Sequence, residues 1–360
     1  MTTDGAAAAV RLTMLAEVFF HTWLHGSWVP RYLAARGFNP AVQSRWHAGY
    51  APARWDALTR HLRGLGWQDE LIEENRLAVR SRRGNLVDVF RDRAIFPVRA
   101  TDGTVAGFIG RASERAAPTT PKYLNSPRNC LYDKGALLFG LWEAHESLHD
   151  GARPVIVEGP LDAVAVSTAR GHFAGVAPCG TALTMRQLTA LSQVADLSTV
   201  GILVAFDADP AGRRAAVRAY HLLCQFTDKV DTVSFQPGQD PAQILASEGP
   251  TALAGMLATY TRPLADLVID SEFDRWADWL RFAEGQVKAL RATAGLIVAM
   301  PPSHVGRQVS RVAIRLGMAH ATVTRAVTDA LTERHQTPGT SAAGSPAPSQ
   351  PGRGGAGGWG

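Results

Sequence analysis

Residues 202–212 read ILVAFDADPAG, and they decide the fold because an apolar strand, two acidic residues and a helix start follow one another. Residues 202–206 are the clearest buried strand in the chain, and residues 211–226 have the pattern of a strong helix. Asp207 and Asp209 lie between these two segments. We therefore predict a strand that delivers two carboxylates to the start of a helix.

The same alternation of strand and helix extends on both sides of this stretch. We predict further strands at 155–157, 173–177 and 230–235, and further helices at 161–169 and 184–191. Apolar strands that alternate with helices are typical of a parallel sheet covered on both faces. The sequence therefore predicts an α/β fold.

The flanking regions have other patterns. Residues 10–80 and 262–333 show helical spacing of apolar residues, whereas 94–98 and 105–109 predict two strands joined by a hairpin. The last stretch is rich in Pro, Gly, Ser and Ala, which predicts disorder. We predict four parts: a basic, mixed α+β subdomain (1–150), the sheet domain (151–245), a helical subdomain (246–335) and a disordered tail (336–360).

Composition excludes several classes of protein. Hydrophobic residues make up 46% of the 360 residues, yet no apolar run reaches the ~18 residues of a membrane helix. The three cysteines, Cys130, Cys179 and Cys224, are far apart, so we expect neither a disulfide framework nor a structural zinc site. Residues 10–24 resemble an amphipathic helix more than a signal peptide, which predicts a cytoplasmic protein.

Positive charge is concentrated in one region. Residues 80–134 hold eleven Lys or Arg against five Asp or Glu, whereas the whole chain has a net charge of +5. Such a concentration is typical of a surface that binds a polyanion, although a solvated basic face would have the same composition.

Acidic residues follow two of the predicted parallel strands. Glu158 comes directly after residues 155–157, Asp162 lies four residues further on, and Asp207 and Asp209 follow the strand at 202–206. The carboxyl ends of parallel strands meet at one edge of a sheet, so these side chains should share a small volume. Close carboxylates repel unless a cation lies between them, and Mg²⁺ prefers oxygen ligands. The alternative for any single residue, and the preferred one for Asp162 alone, is a helix cap.

Three motifs carry a resemblance to a known module. They are VEGPLDA at 157–163, APCGTALT at 177–184 and FDADPAGRRAA at 206–216, and they resemble the Toprim module of DnaG-type primases, topoisomerases and some nucleases. The rest of the chain resembles the primase branch, through YLAARGF at 32–38, HAGYAP at 47–52, FRDRAIFPV at 90–98, GFIGR at 107–111, PKYLNSP at 121–127 and GQDP at 238–241. The resemblance runs from about residue 10 to about residue 330.

This resemblance implies a DNA primase, that is, a DNA-directed RNA polymerase that makes short RNA primers on single-stranded DNA. It implies catalytic roles for Glu158, Asp207 and Asp209, and an approach of the Gly180–Thr181 turn to the same crevice. The implied ligands of Mg²⁺ or Mn²⁺ are Glu158, Asp162, Asp207, Asp209 and Asp240. The implied contacts to nucleic acid and nucleotide are Arg91, Arg93, Arg111, Lys122, Tyr123, Asn125 and Lys134.

The implied partners are template DNA, ribonucleoside triphosphates and the RNA/DNA hybrid, with a replicative helicase or a separate zinc-binding protein as further candidates. The chain departs from the family pattern at Ala242, where a further Asp often follows Pro241, and at Pro160, where a large residue is typical. It also has no counterpart of the family's zinc-binding and helicase-binding domains, which favours a plasmid- or phage-borne relative. Two alternatives remain: an accessory protein that binds single-stranded DNA without catalysis, and a Toprim nuclease.

Overall fold

The computed structural model describes residues 3–169, 171–180, 182–236 and 238–336. Thr181 and residues 337–360, and with them nearly all of the tail predicted at 336–360, lie outside these ranges. The first region contains the helices α1 (Thr3–Thr22), α2 (Val29–Ala34), α3 (Pro40–Arg45), α4 (Ala57–Gly64), α5 (Asp69–Glu74) and α6 (His145–His149). Its strands are β1 (Gly49–Ala51), β2 (Ala78–Arg80), β3 (Leu86–Asp88), β4 (Arg93–Arg99), β5 (Val105–Ala112), β6 (Tyr123–Asn125) and β7 (Leu138–Phe139).

The second region alternates strands and helices. Its strands are β8 (Arg153–Val157), β9 (Phe173–Pro178), β10 (Ile202–Ala205), β11 (Val230–Val233) and β12 (Thr261–Pro263). Its helices are α7 (Pro160–Thr168), α8 (Met185–Ser192), α9 (Leu197–Val200), α10 (Pro210–Leu223), α11 (Pro241–Glu248) and α12 (Pro250–Thr259). The predicted positions of β8, β9, β10 and β11 and of α7, α8 and α10 are confirmed to within a few residues at each end.

The N-terminal region is built around a four-stranded antiparallel sheet in the order β1-β4-β5-β6. The predicted hairpin is confirmed as β4 and β5, which pair from Arg93–Ala112 to Arg99–Val105. Helix α1 packs on this sheet through Phe20, whose ring lies edge-on to Phe108 at 5.3 Å. The prediction that residues 10–80 are entirely helical is wrong at β1 and β2, two three-residue strands that are too short to show a period in the sequence.

The second sheet has six strands in the order β12-β11-β10-β8-β9-β7. The four central strands are parallel, as predicted, and helices flank the sheet. The sequence did not predict the two antiparallel edge strands, β12 beside β11 and β7 beside β9. These edges come from residues 138–139 and 261–263, on either side of the predicted sheet domain.

Four long helices and one short 3₁₀ turn complete the fold: α13 (Leu264–Trp276), the turn Ala277–Trp279, α14 (Ala283–Val298), α15 (Pro302–Leu316) and α16 (His320–Gln336). They share one apolar core with α10 and the sheet. Helix α13 packs against both α10 and β11 and so approaches the carboxyl end of β10. Within the described ranges, no helix combines the length and the apolar character needed to cross a membrane.

Candidate active site

The carboxyl ends of β8 and β10 bring the first two predicted acidic residues together. The strands are neighbours, with Val157 opposite Ala205, so Glu158 and Asp207 leave the sheet at the same edge. The backbone nitrogen of Asp207 donates a hydrogen bond to Oε1 of Glu158 at 3.2 Å. The prediction that separate strand ends deliver their carboxylates to one place therefore agrees with this geometry.

Asp209 begins helix α10. Its Oδ1 accepts hydrogen bonds from the backbone nitrogens of Ala211 at 2.8 Å and Gly212 at 2.7 Å, so it is the helix cap as well as a member of the acidic group. Gly212 packs closely: a Cβ there would lie 2.3 Å from the carbonyl oxygen of Asp207 and 2.7 Å from Oε1 of Glu158. Only glycine lets the helix start approach the two strand ends this closely.

Asp162 and Asp240 join two other helices beside this group. Asp162 lies in the first turn of α7, and its Oδ1 accepts a hydrogen bond from the backbone nitrogen of Ala242 at 3.2 Å. Asp240 caps α11 through a 2.7 Å hydrogen bond from the backbone nitrogen of Gln243. Asp162 thus contacts the GQDP element even though Ala242 supplies no carboxylate of its own.

The carboxylates perturb one another. Burial raises the pKa of Glu158, and the charges of Asp207 and Asp209 raise it further. Burial also raises the pKa of Asp207, with added repulsion from Asp240 and Asp209. Burial and the charge of Asp240 raise the pKa of Asp162 to about 8. Such mutual repulsion means that a bound cation would stabilise the ionised group.

The donor set matches a hard divalent ion. All five side chains offer carboxylate oxygens, and neither oxygen of the Asp207 carboxylate accepts a hydrogen bond from the described residues. In the described ranges no three His, Cys, Asp or Glu side chains form a ready-made cage. Mg²⁺ does not need one, because it keeps several waters and binds through one or two carboxylates. The residues therefore fit Mg²⁺ or Mn²⁺ in chemistry.

Two of the predicted basic residues are exposed. Lys122 lies close enough to the acidic group for its charge to oppose the rise in the pKa of Asp162 and of Asp207. Lys134 is also exposed, and the backbone of Gly180 lies beside it. Arg91 is half-buried and stacks on the Trp55 ring at 4.5 Å.

Arg93 and Asn125 contact the protein itself. Arg93 is 6% exposed, and its Nη1 donates to the carbonyl oxygens of Gly110 at 3.0 Å and Pro121 at 2.9 Å. Nδ2 of Asn125 donates to the carbonyl oxygen of Cys179 at 2.6 Å. Both were predicted to contact nucleic acid; here they hold β6 against β5 and against the end of β9.

Arg111 is likewise 6% exposed and lies between two tyrosine rings, 5.3 Å from Tyr32 and 5.2 Å from Tyr123. Its Nε also donates to the hydroxyl of Tyr32. Arg36 lies over the ring of Tyr32 at 4.8 Å, and Lys122 lies over the ring of Tyr123 at 5.9 Å. Cations and rings thus alternate in a cation–π column (Arg36, Tyr32, Arg111, Tyr123, Lys122) that ends at the acidic group.

Tyr32 and Arg36 were not singled out from the sequence. Both lie in the YLAARGF motif, four residues apart, a spacing that places two side chains on the same face of a helix. That spacing was the available signal, but the role of the pair depends on Arg111, which is 79 residues from Tyr32.

Comparisons with known proteins agree with this geometry. Residues 19–145 match the family described as DNA primase catalytic core, N-terminal domain, and residues 155–245 match the family described as Toprim-like. A DNA primase of Mycolicibacterium smegmatis is 34% identical over 264 residues, which covers 72% of this chain and 41% of that protein. The chain thus spans about two fifths of the length of the curated relatives it matches.

Solved structures of primase domains resemble the whole fold. The RNA polymerase domain of Mycobacterium tuberculosis primase DnaG, in complex with double-stranded DNA, superposes with a TM-score of 0.73 at 29% identity, covering 87% of this chain and 99% of that one. A DnaG primase catalytic domain bound to single-stranded DNA gives a TM-score of 0.75 at 27% identity, covering 89% and 100%. The similarity therefore includes both sheets and the C-terminal helices.

Proposed function

The chain belongs to the DnaG-type primase catalytic cores, with a DnaG N-terminal catalytic region followed by a Toprim domain, and from this premise we propose that it synthesises short RNA primers on single-stranded DNA. The observation that carries the proposal is the convergence of Glu158 with Asp207 and Asp209 at one sheet edge, close to the exposed Lys122. We also propose that the first three parts predicted from the sequence, 1–150, 151–245 and 246–335, are its functional divisions.

In the proposed reaction the 3′-hydroxyl of the growing strand attacks the α-phosphate of a bound ribonucleoside triphosphate, and pyrophosphate leaves. Toprim primases use a divalent ion, and Glu158, Asp207 and Asp209 would hold it, with Asp162 and Asp240 beside them. When bound, Mg²⁺ or Mn²⁺ would neutralise the negative charge that develops on the phosphate oxygens.

The chain's own residues supply the remaining interactions. Lys122 and Lys134 are exposed cations that would neutralise phosphates of template or nucleotide. Tyr123 lies next to Arg111 and close to Asp162, where it would contact nucleic acid beside the acidic group. The buried Arg93 and the half-buried Asn125 position β6, which carries Tyr123. We propose the partners that the sequence predicts: the DNA template, ribonucleoside triphosphates and the RNA/DNA hybrid, with a replicative helicase or a separate zinc-binding protein as further partners. We also propose that the protein acts in the cytoplasm, at the nucleoid.

The test is primer synthesis from ribonucleotides on single-stranded DNA with Mg²⁺ or Mn²⁺. We expect the Asp207→Ala and Asp209→Ala variants to lose activity, whereas Asp329→Ala, which changes an exposed residue of α16, keeps it. DNA binding without incorporation in the wild type would favour the accessory protein. Cleavage of DNA without incorporation would favour the nuclease.

A further inference from the structure

A cavity of about 860 Å³ extends from the acidic pair along helix α10 to α13. Asp207 and Asp209 line one end of it, and Arg218 and His221 line the other. Glu158, Asp162 and Lys122 do not line it, so it is a separate space that shares only the segment from Asp207 to Gly212 with the site described above. Its volume is within the range of small-molecule sites in proteins.

The floor of this cavity is apolar. Val217 of α10, Leu267 and Val268 of α13 and Leu296 of α14 supply its apolar lining. Each of these residues belongs to, or packs against, the core shared by α10 and the C-terminal helices. A floor of this kind accepts a flat, weakly polar ring, and Ser271 adds one buried hydroxyl that has no hydrogen-bond partner in the described residues.

Most charges around the cavity are already paired. Asp274 accepts from Arg213 at 3.3 Å, and Glu272 accepts from Arg275 at 2.9 Å. Arg262 is paired in the same way, with Asp270 at 2.7 Å. These pairs leave the cavity walls close to neutral.

Among the arginines that line the cavity, Arg214 and Arg218 are the exception. Both line the cavity and are exposed, and neither has an acidic partner among the described residues. They are four residues apart on α10, so their guanidinium groups project from the same face of the helix. Two unpaired guanidinium groups one turn apart match the oxygens of a polyphosphate chain.

The cavity therefore carries opposite charges at its two ends, with carboxylates at one end and arginines at the other. At 1.5 Å per residue, Arg218 lies about 13 Å along α10 from the cap Asp209. We propose that this cavity binds a nucleoside triphosphate, with its base on the apolar floor, its triphosphate at Arg214 and Arg218, and its 3′-hydroxyl toward Asp207 and Asp209. The reverse orientation would place phosphates against carboxylates, where like charges repel unless a divalent ion lies between them, and would leave Arg214 and Arg218 without an anionic partner.

This orientation specifies which nucleotide the cavity takes. The inference rests on the proposed primase function, because synthesis without a primer must begin by joining two ribonucleoside triphosphates. The incoming nucleotide needs its triphosphate at the carboxylates, whereas the initiating nucleotide needs its 3′-hydroxyl there and keeps its triphosphate. The cavity fits the initiating nucleotide.

The first experiment measures binding alone. ATP is titrated calorimetrically into the full chain in EDTA, so that no divalent ion can hold a triphosphate at the carboxylates. We expect the R214A/R218A variant to bind ATP about tenfold or more weakly than wild type, and R325A, an exposed arginine of α16, to bind as wild type does. Equal ATP affinity in wild type and R214A/R218A, or tripolyphosphate binding as tightly as ATP, would overturn the proposal.

The second experiment separates initiation from elongation. On single-stranded DNA, R214A/R218A should need about tenfold more initiating nucleotide to make the first dinucleotide, yet extend a pre-annealed RNA primer at the wild-type rate. An equal loss in both reactions assigns the arginines to general DNA binding and overturns the proposal. If wild type neither initiates nor extends, the primase function fails, and the ATP titration still decides whether the cavity is a nucleotide site.

Discussion

Glu158 accepts a hydrogen bond from the backbone nitrogen of Asp207 at 3.2 Å, and this bond joins the end of β8 to the end of β10. Glu158 therefore has two separable properties. Its oxygen holds the neighbouring strand end, and its charge adds to the repulsion within the acidic group. Because the folded-state pKa of Glu158 is raised, its ionised form destabilises the fold at pH values above that pKa when no cation is bound.

Glu158→Gln keeps the accepting oxygen and removes the charge. At pH 7.5 in EDTA we expect the variant to melt at a higher temperature than wild type, because the repulsion is gone. The rise in melting temperature on adding MgCl₂ or MnCl₂ should become smaller, and primer synthesis should fall by about a hundredfold or more. Thermal melts with and without metal check this, and an unchanged metal-induced rise would show that Glu158 takes no part in binding the ion.

Gly212→Ala tests the close approach of α10 to the strand ends. The added Cβ would meet a backbone oxygen, which cannot move aside as a flexible side chain can. We expect a loss of about 1–3 kcal/mol in the free energy of unfolding and a larger loss of activity, since Asp209 would shift with the helix. Gly255→Ala is the matched control, because nothing lies within 4 Å of its Cβ position in α12 and alanine should stabilise that helix by about 0.5–1 kcal/mol. Urea unfolding measures the change in free energy of unfolding for both variants. Equal changes would contradict the close approach of α10 to the strand ends at Gly212.

The acidic site was predictable because its signal is local. Glu158 and Asp207 each directly follow an apolar run, and parallel strands bring their ends together without further information from distant residues. Strand β1 had no such signal: three residues show no period, and its partner β4 is more than 40 residues away. The burial of Arg93 and Arg111 was equally hidden, since a sequence shows that a residue is charged but not which rings and carbonyl groups will surround it.

Arg111→Lys tests whether the cation–π column needs a planar group or only a charge. Lysine keeps the charge but cannot stack flat between Tyr32 and Tyr123, so we expect a loss of about 1–2 kcal/mol in stability and weaker binding of single-stranded DNA. Arg115→Lys, an exposed arginine nearby, should change neither property. Urea unfolding measures the stability of the variants, and fluorescence anisotropy at fixed salt measures their binding of single-stranded DNA. Wild-type behaviour of Arg111→Lys would show that the charge alone suffices.

The C-terminal helices are joined by a ladder of charges. Asp266 of α13 is 1% exposed. Its carboxylate accepts three hydrogen bonds from α15: from Nε of Arg307 at 2.9 Å, from Nη2 of Arg307 at 2.6 Å and from Nε2 of Gln308 at 2.8 Å. One turn further along each helix, Asp270 accepts a hydrogen bond from Nη2 of Arg311 at 2.8 Å. Burial alone would raise the pKa of Asp266, but these hydrogen bonds and charges outweigh it, and the pKa lies below its usual value.

Asp266→Asn should therefore destabilise the protein by about 2 kcal/mol at pH 7, because two charge-assisted hydrogen bonds are weakened at a buried position. A lowered folded-state pKa means that the stabilisation is complete above the unfolded pKa of about 3.9 and is lost as the pH falls through the folded value. The difference between variant and wild type should thus shrink below about pH 4, whereas Asp329→Asn, at an exposed position on α16, should differ from wild type at neither pH. Urea unfolding at pH 7 and pH 3 measures this. If the difference in free energy of unfolding between wild type and Asp266→Asn is the same at pH 7 and pH 3, Asp266 acts through its shape rather than its charge.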